Sequence, residues 1–240
     1  MMSLHNHTNF SDGDWSPAEL VEAAAGLRIG SVGITDHLAA THVNSVAPEM
    51  LDHYVSSVRE AAKPFAGTVE VFVGAELHAS PKRTRMELVD PSALGVLDYL
   101  VVEHVADEAR GGMPFWEFIE FRKKVPCPVG LAHPDLATTM GHVPAKELAE
   151  LLVMENIFVE LNTNRQYTRL ERSFYRLWPD LYREIGRAGG CLSTGSDVHE
   201  HLADLGNVSD AEEFARSVDA EACLERCLAS IRKHAGQRII

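Results

Sequence analysis

HNHTNFSDGD, residues 5–14, sets two histidines one residue apart and follows them with two aspartates, close to the start of the chain. A buried core has little use for such polar residues in a first strand, so they are either a surface accident or they hold something. The other β-rich runs decide between these readings. Six follow: SVGIT at 31–35, VEVFVGAEL at 69–77, DYLVVEH at 98–104, PVGLAHP at 128–134, IFVELNT at 157–163 and CLSTGSD at 191–197. With SLHNH at 3–7 they make seven short apolar runs that alternate with helical patterns or long loops. Such alternation predicts an α/β fold of βα units, either a closed parallel barrel or an open doubly wound sheet.

Nearly every run ends in a side chain that can bind a metal. His5 and His7 belong to the first, Asp36 and His37 follow the second, and Glu76, His104 and His133 end the next three. Asp197 and His199 follow the last. Active sites of βα barrels gather at the C-terminal ends of the strands, where positions far apart in sequence converge, and this regularity favours the barrel. Each histidine alone has a bland explanation as a solvated or hydrogen-bonded residue, but that account does not explain why all of them occupy the same end of successive strands. The remaining histidines, including His42, His53, His78, His142, His201 and His234, fall in predicted loops or helices and are read as structural. Only His201 is near enough in sequence to support the cluster from behind.

The mixture has a chemical meaning. Imidazole suits zinc, manganese and iron, carboxylates add charge and can bridge two ions, and the absence of cysteine from the set argues against a closed structural zinc site. Nine donors exceed the needs of one ion with open positions, so two to three divalent ions (Zn, Mn or Fe) are expected. Two ions about 3.5–4 Å apart can activate a bridging water and neutralise a phosphate or carbonyl oxygen.

Composition bounds the rest. At 240 residues, 45% of them hydrophobic and 24% charged, the chain suits one globular domain over 1–240. A net charge of −13 disfavours extended nucleic-acid binding and attraction to an anionic membrane. No run approaches the roughly 18 apolar residues of a spanning helix, and MMSLHNH carries no secretory pattern, so a cytoplasmic protein is expected. Cys127, Cys191, Cys223 and Cys227 lack paired close spacing and are read as free thiols. Among the helices, Ser16, Pro17 and Glu19 form a capping-box start. Pro144 opens another, Pro179 should kink or split a helical pattern running from Leu170 to Ile185, and a last helix spans about 219–234. The sequence leaves the oligomeric state open.

Taken in order, HNH (5–7) with SDGD (11–14), TDH (35–37), GAE (74–76), EH (103–104), AHP (132–134) and SDVH (196–199) resemble the PHP domain, the polymerase and histidinol phosphatase superfamily. The resemblance covers most of the chain. It implies a distorted (β/α)7 barrel with a trinuclear metal centre and, most often, phosphoester hydrolysis by a metal-bridging hydroxide. Position by position it implies that His5, His7, Glu76 and Asp197 hold one ion. Glu76 bridges to a second ion held also by His104 and His133, while Asp12, His37 and His199 hold the third. Some members carry histidine at the position of Asp12, Asp14 is read as capping the turn, and Asp36 is read as orienting His37 or a neighbour.

ELNTNRQYTR (160–169) resembles the motif after the sixth strand of histidinol phosphatases, which makes Asn162 and Arg165 substrate-binding candidates, with Arg169 less favoured. HPDL (133–136) is typical of the same branch, although the chain lacks that branch's long strand-end insertions. PKRTR (81–85) is read as a solvated turn rather than a screen for an anionic substrate. The implied activity is hydrolysis of a small phosphorylated metabolite. Its alternatives are a phosphodiesterase or hydrolase of nucleotides and nucleic-acid ends, and a non-catalytic metal-binding domain.

Overall fold

A computed structural model describes residues 1–237. Seven parallel strands form one sheet in chain order: β1 (Met2–Ser3), β2 (Ser31–Ile34), β3 (Glu70–His78), β4 (Tyr99–Glu103), β5 (Val129–Ala132), β6 (Ile157–Asn162) and β9 (Leu192–Gly195). The short β7 (Thr168–Arg169) and β8 (Arg172–Ser173) pair only with each other, as an antiparallel hairpin. The sheet curls until its two edges meet. Leu4 N–H donates to Thr194 O at 2.8 Å, Asp197 N–H to His5 O at 2.8 Å and His7 N–H to Val198 O at 2.9 Å. Asn6 forms a parallel bridge to Val198 across the same seam. The result is a distorted (β/α)7 barrel, the closed form that the strand-end pattern favours and the distorted form that the family resemblance implies, and every β-rich run of the sequence lies in it.

The strands are apolar because both faces are covered. β2, β4, β5 and β6 are buried along their whole length, as sheets flanked by helices must be. Outside them lie α1 (Pro17–Gly26), α2 (Leu51–Ala62), α3 (Phe115–Arg122), α4 (Leu136–Thr139), α5 (Ala145–Met154), α6 (Pro179–Arg187), α7 (Ser209–Ser217) and α8 (Glu221–Gly236). α1 starts in the expected capping box, with Pro17 in its first turn. Pro179 splits the pattern before it: a 3-10 turn, Phe174–Leu177, ends there and α6 begins at the proline. The apolar periodicity reaching back to Leu170 does not form a helix. Leu170 is exposed in the β7–β8 turn, where Leu170 and Glu171 both take positive φ. All four cysteines are free thiols, as expected. Among the described residues no helix is long and apolar enough to cross a membrane.

Candidate metal centre

The strand ends deliver the predicted side chains to one place. His5 Nε2 stands 3.2 Å from His7 Nε2, 3.4 Å from Glu76 Oε2 and 3.6 Å from Asp197 Oδ1. His7 Nε2 lies 3.3 Å from Glu76 Oε2 and 3.2 Å from Asp197 Oδ1. On one flank His133 Nε2 is 3.0 Å from Glu76 Oε1, and the His104 and His133 rings are 5.7 Å apart. On the other flank Asp12 lies 3.6 Å from His37 Nε2, 3.4 Å from His199 Nε2 and 3.4 Å from His7 Nδ1. Glu76 is the hub, because its second oxygen is also 3.2 Å from His37 Nδ1.

Backbone conformation helps aim these groups. His104, His133 and Asp197, each just past a strand end, have φ of 59°, 32° and 50°. L-residues adopt this region at a cost of about 1–3 kcal/mol, which the surrounding barrel must hold in place.

Without cations the cluster holds itself by charge pairing. Burial alone would depress His5 and His7, but Glu160, Glu76 and Asp197 around the first, and Asp12, Asp197 and Glu76 around the second, raise both well above 6.5. Burial would likewise raise the carboxyls, yet His5, His37 and His133 hold Glu76 well below its usual range, and His5 and His7 lower Asp197. Asp12 is lowered by His199, His7 and His37 against the same opposition. His37 goes the other way, because its burial outweighs the neighbouring carboxylates.

Several residues of the site escape the strand-end pattern. Glu103, one position before His104, puts Oε2 at 2.9 Å from His104 Nε2 and 3.7 Å from His133 Nε2, so it joins the second group. Glu160, in the middle of IFVELNT, is buried behind His5. Both its oxygens are 3.1 Å from His5 Nδ1, Oε2 accepts the His133 backbone N–H at 2.6 Å, and Oε1 accepts from Asn162 Nδ2 at 3.0 Å. His5 Nδ1 therefore carries hydrogen, and in the neutral ring the Nε2 lone pair faces the centre, the arrangement a metal-binding imidazole needs. Gly195 makes room for this carboxylate, since a Cβ there would stand 1.9 Å from Glu160 Oε1.

Asp36 accepts from Thr8 N–H at 2.8 Å, Thr8 Oγ1 at 2.7 Å and Ser11 Oγ at 2.6 Å. It orients the loop that presents Asp12 rather than His37 itself.

His78 does not lie in a loop. It is the last residue of β3 and is buried, with its ring 4.7 Å from that of His104. Ser80 N–H donates to its Nδ1 at 2.9 Å, which puts the hydrogen of the neutral ring on Nε2, an atom that is buried without a hydrogen-bond partner beside Glu103 and His104. Burial keeps the ring neutral by depressing its pKa to about 4. His201 is 77% exposed, lies 3.9 Å from Glu200 and lines a cavity with Asp197 and His199.

The predicted substrate residues separate. Arg165 is exposed in a cavity of about 460 Å³ that it shares with Asp197 and His199. Asn162 is buried, with its amide committed to Glu160 and to Asn164 N–H. Arg169 is tied to Asp135 at 3.0 Å. In PKRTR, read as a solvated turn, Lys82, Arg83 and Arg85 are exposed, and Arg83 also lines a cavity of about 450 Å³ with Asp12, His37, Glu76, Asp197 and His199. Thr41 N–H donates to Arg83 O, and Arg85 N–H to Ala39 O, fixing that turn to the loop after β2.

The donor set fits divalent cations. His5 Nε2 and His7 Nε2 face one another at 3.2 Å, and Asp197 Oδ1 and His37 Nδ1 are buried without a hydrogen-bond partner. Buried polar atoms left unpaired cost about 1–3 kcal/mol each unless something else satisfies them. Groups of three or four donor atoms within 4.8 Å of one another recur: His7, Asp12, His37 and His199; His5, His133 and Asp197; His5, His7 and Glu76; His37, Glu76 and Glu103; His78, Glu103 and His104.

Comparison with known proteins agrees with this architecture. A histidinol phosphate phosphatase from Lactococcus lactis, solved with zinc, L-histidinol and phosphate, superposes with a TM-score of 0.60 at 15% identity, covering 92% of this chain and 93% of that one. Metal-dependent tyrosine phosphatases from Bacillus subtilis and Streptococcus pneumoniae give a TM-score of 0.55 at 17% identity over 97% and 94% of the respective chains. At such identities the likeness is one of fold. An uncharacterized protein of Methanocaldococcus jannaschii is 30% identical over 227 residues, 92% of this chain and 89% of its own length. Residues 3–125, from the strand before the first histidine pair to the loop before β5, match the PHP domain, and the chain belongs to that family.

Proposed function

We propose that the protein is a metal-dependent phosphoesterase that removes the phosphoryl group from a small phosphorylated metabolite in the cytoplasm, with its metal centre and substrate cavity in one domain. The observation that carries this reading is Arg83. Its guanidinium has no ion-pair partner among the described residues, and it lines the same cavity as five of the nine predicted ligands. A cavity also lined by Asp12, Glu76, Glu103, Asp197 and Glu200 repels an anion on its own. An arginine left unpaired there, beside donors arranged for cations, matches a planar phosphate edge that a guanidinium grips through two hydrogen bonds.

Two to three zinc, manganese or iron ions would be held by His5, His7, Glu76 and Asp197, by Glu76, His104 and His133 with Glu103 added, and by Asp12, His37 and His199. Bound divalent ions supply Lewis acidity and an activated water. The chain's residues do the rest. Glu160 keeps His5 in the ligating tautomer, Asp36 fixes the loop that carries Asp12, and Arg83 orients the phosphate. Arg165 faces the adjoining cavity, where the alcohol portion of the substrate fits, and Asn162 acts by shaping the turn that carries Arg165. The histidinol phosphate phosphatase of the same fold, solved with L-histidinol and phosphate, supports a small phosphorylated substrate.

The test is hydrolysis of p-nitrophenyl phosphate and a panel of phosphorylated metabolites by manganese-loaded protein, before and after chelation. Activity that survives complete chelation, or the Glu76→Ala and His199→Ala substitutions, refutes the proposal.

A further inference from the structure

Tyr167 lies flat on His133: the ring centroids are 3.7 Å apart and the planes 2° from parallel. Two cavities meet at this phenol ring, and it is the residue they share. One is the 450 Å³ cavity that holds Arg83. The other is a space of about 20 Å³ behind the ring, bounded by His104, His133, Arg110 and Phe174, with room for about one water.

The backbone that carries the ring is held on several sides. Tyr167 N–H donates to Asn164 O and Phe174 N–H to Tyr167 O, both at 3.0 Å. Asn164 Nδ2 donates to Asp197 O at 2.9 Å, and Arg169 in the following hairpin grips Asp135 through two nitrogens, at 3.0 and 3.3 Å. Stacked on His133, packed against Phe174 at 6.1 Å and carried by a backbone fixed in this way, the ring is a wall and not a flap.

Resting on the phosphoesterase reading above, we propose that Tyr167 is a specificity-determining residue that confines the centre to phosphate monoesters. A monoester has three free oxygens to turn towards the donor cluster and Arg83, and one substituent, which leaves through the open cavity. A diester has a second substituent that must leave the cluster in another direction. The direction over His133 is filled by the Tyr167 ring at van der Waals distance. Removing the ring joins the two cavities and opens that path as far as Arg110 and Phe174.

The experiment compares wild type, Tyr167→Ala and Tyr167→Phe, all manganese-saturated and with metal content measured. It reads kcat/KM for p-nitrophenyl phosphate and bis(p-nitrophenyl) phosphate, and calorimetric binding of phenylphosphonate and its monomethyl ester. Tyr167→Ala is expected to raise the diester-to-monoester ratio by about tenfold or more in both measurements, the scale on which pocket contacts discriminate. Tyr167→Phe keeps the wild-type ratio. A ratio in Tyr167→Ala within about twofold of wild type, or a shift in Tyr167→Phe as large as in Tyr167→Ala, overturns the proposal.

If Tyr167→Ala loses metal, Tyr167→Leu is judged by the same criteria. Absent turnover with an intact binding shift refutes the phosphoesterase reading and leaves the wall. A wild type that turns over or binds diesters as well as monoesters refutes the wall and leaves the phosphoesterase.

Discussion

Glu160→Gln is nearly isosteric, and the structure specifies what it breaks. Three donors converge on the carboxylate: His5 Nδ1–H at 3.1 Å, the His133 backbone N–H at 2.6 Å and Asn162 Nδ2–H at 3.0 Å. Glutamine offers one acceptor oxygen and turns an NH2 group towards whichever donor is left. The His133 backbone N–H cannot reverse polarity and Asn162 is held in place by Asn164 N–H, which donates to its Oδ1 at 2.8 Å, but His5 can reverse. Its Nδ1 becomes the acceptor and the hydrogen moves to Nε2, the atom that faces Glu76 and Asp197. The variant therefore folds with its first histidine in the wrong tautomer for ligation. Loss of a hydrogen-bonding partner behind a ligand typically costs 10- to 100-fold in metal affinity, and a forced tautomer change puts this case towards the upper end.

In free energy the effect is about 2–3 kcal/mol. Loss of the charged hydrogen bonds adds about 1–3 kcal/mol of destabilisation to the metal-free fold, equivalent to a Tm lower by about 2–4 °C for each kcal/mol in a domain of this size. Calorimetric titration with manganese, paired with thermal melts of the chelated protein, reads both. Manganese affinity within about twofold of wild type would refute the tautomer argument.

Other outcomes follow from the same geometry. Gly195→Ala brings a Cβ to 1.9 Å from Glu160 Oε1 and 2.6 Å from His5 Cβ, so it should destabilise the fold by about 1–3 kcal/mol in urea denaturation and lower manganese affinity as Glu160→Gln does. Arg83→Ala should raise KM for a phosphate monoester by about ten- to a hundredfold while metal content stays unchanged, which steady-state kinetics with elemental analysis checks. In the metal-free protein His5, His7 and His133 are raised above 6.5, so the stability they contribute is fully present below that pH and lost as pH climbs through the raised values. Glu76 and Asp197 are lowered from 4.5 and 3.8; their contribution is present above those values and lost as pH falls through the lowered ones. Ions need neutral imidazole, so the rise in Tm on adding manganese should be larger near pH 8 than near pH 6, as scanning calorimetry at both would show.

The barrel and its ring of donors are readable in the sequence because six of the seven strands are short apolar runs that close on, or are followed at once by, a histidine or carboxylate, a repeated coincidence of period and position. Glu160 resists such reading: inside IFVELNT it looks like the polar half of a strand, and only the closed barrel brings it behind His5, 155 positions away. Arg83 sits in a basic turn whose composition is that of a solvated loop. What fixes it is backbone pairing with residues 39–41, which no local pattern records. The β7–β8 hairpin carries none of the Asn-Gly chemistry that announces a two-residue turn. Leu170 and Glu171 take positive φ there, and Leu170 mimics the first position of an apolar helix face. Tyr167 depends on that hairpin and is hidden with it. His78 falls two residues beyond the GAE motif, where strand and loop look alike.

The barrel closes along a seam between its first and last strands, and four of the nine predicted ligands stand on that seam, His5 and His7 on one edge, Asp197 and His199 on the other. Residues hydrogen-bonded across it, such as Ser3 and Ser196, are 193 positions apart. Contacts of that span are the slowest to form and the first to be missed by a partly assembled chain. An ion shared by His7 and Asp197 would thus work as a clasp as well as a reagent, stabilising the closed ring by mass action and leaving the helical layer untouched. Metal supply would then govern the lifetime of the closed barrel, and the amides of Leu4, His7 and Asp197 would report it, exchanging with solvent fastest when the clasp is empty.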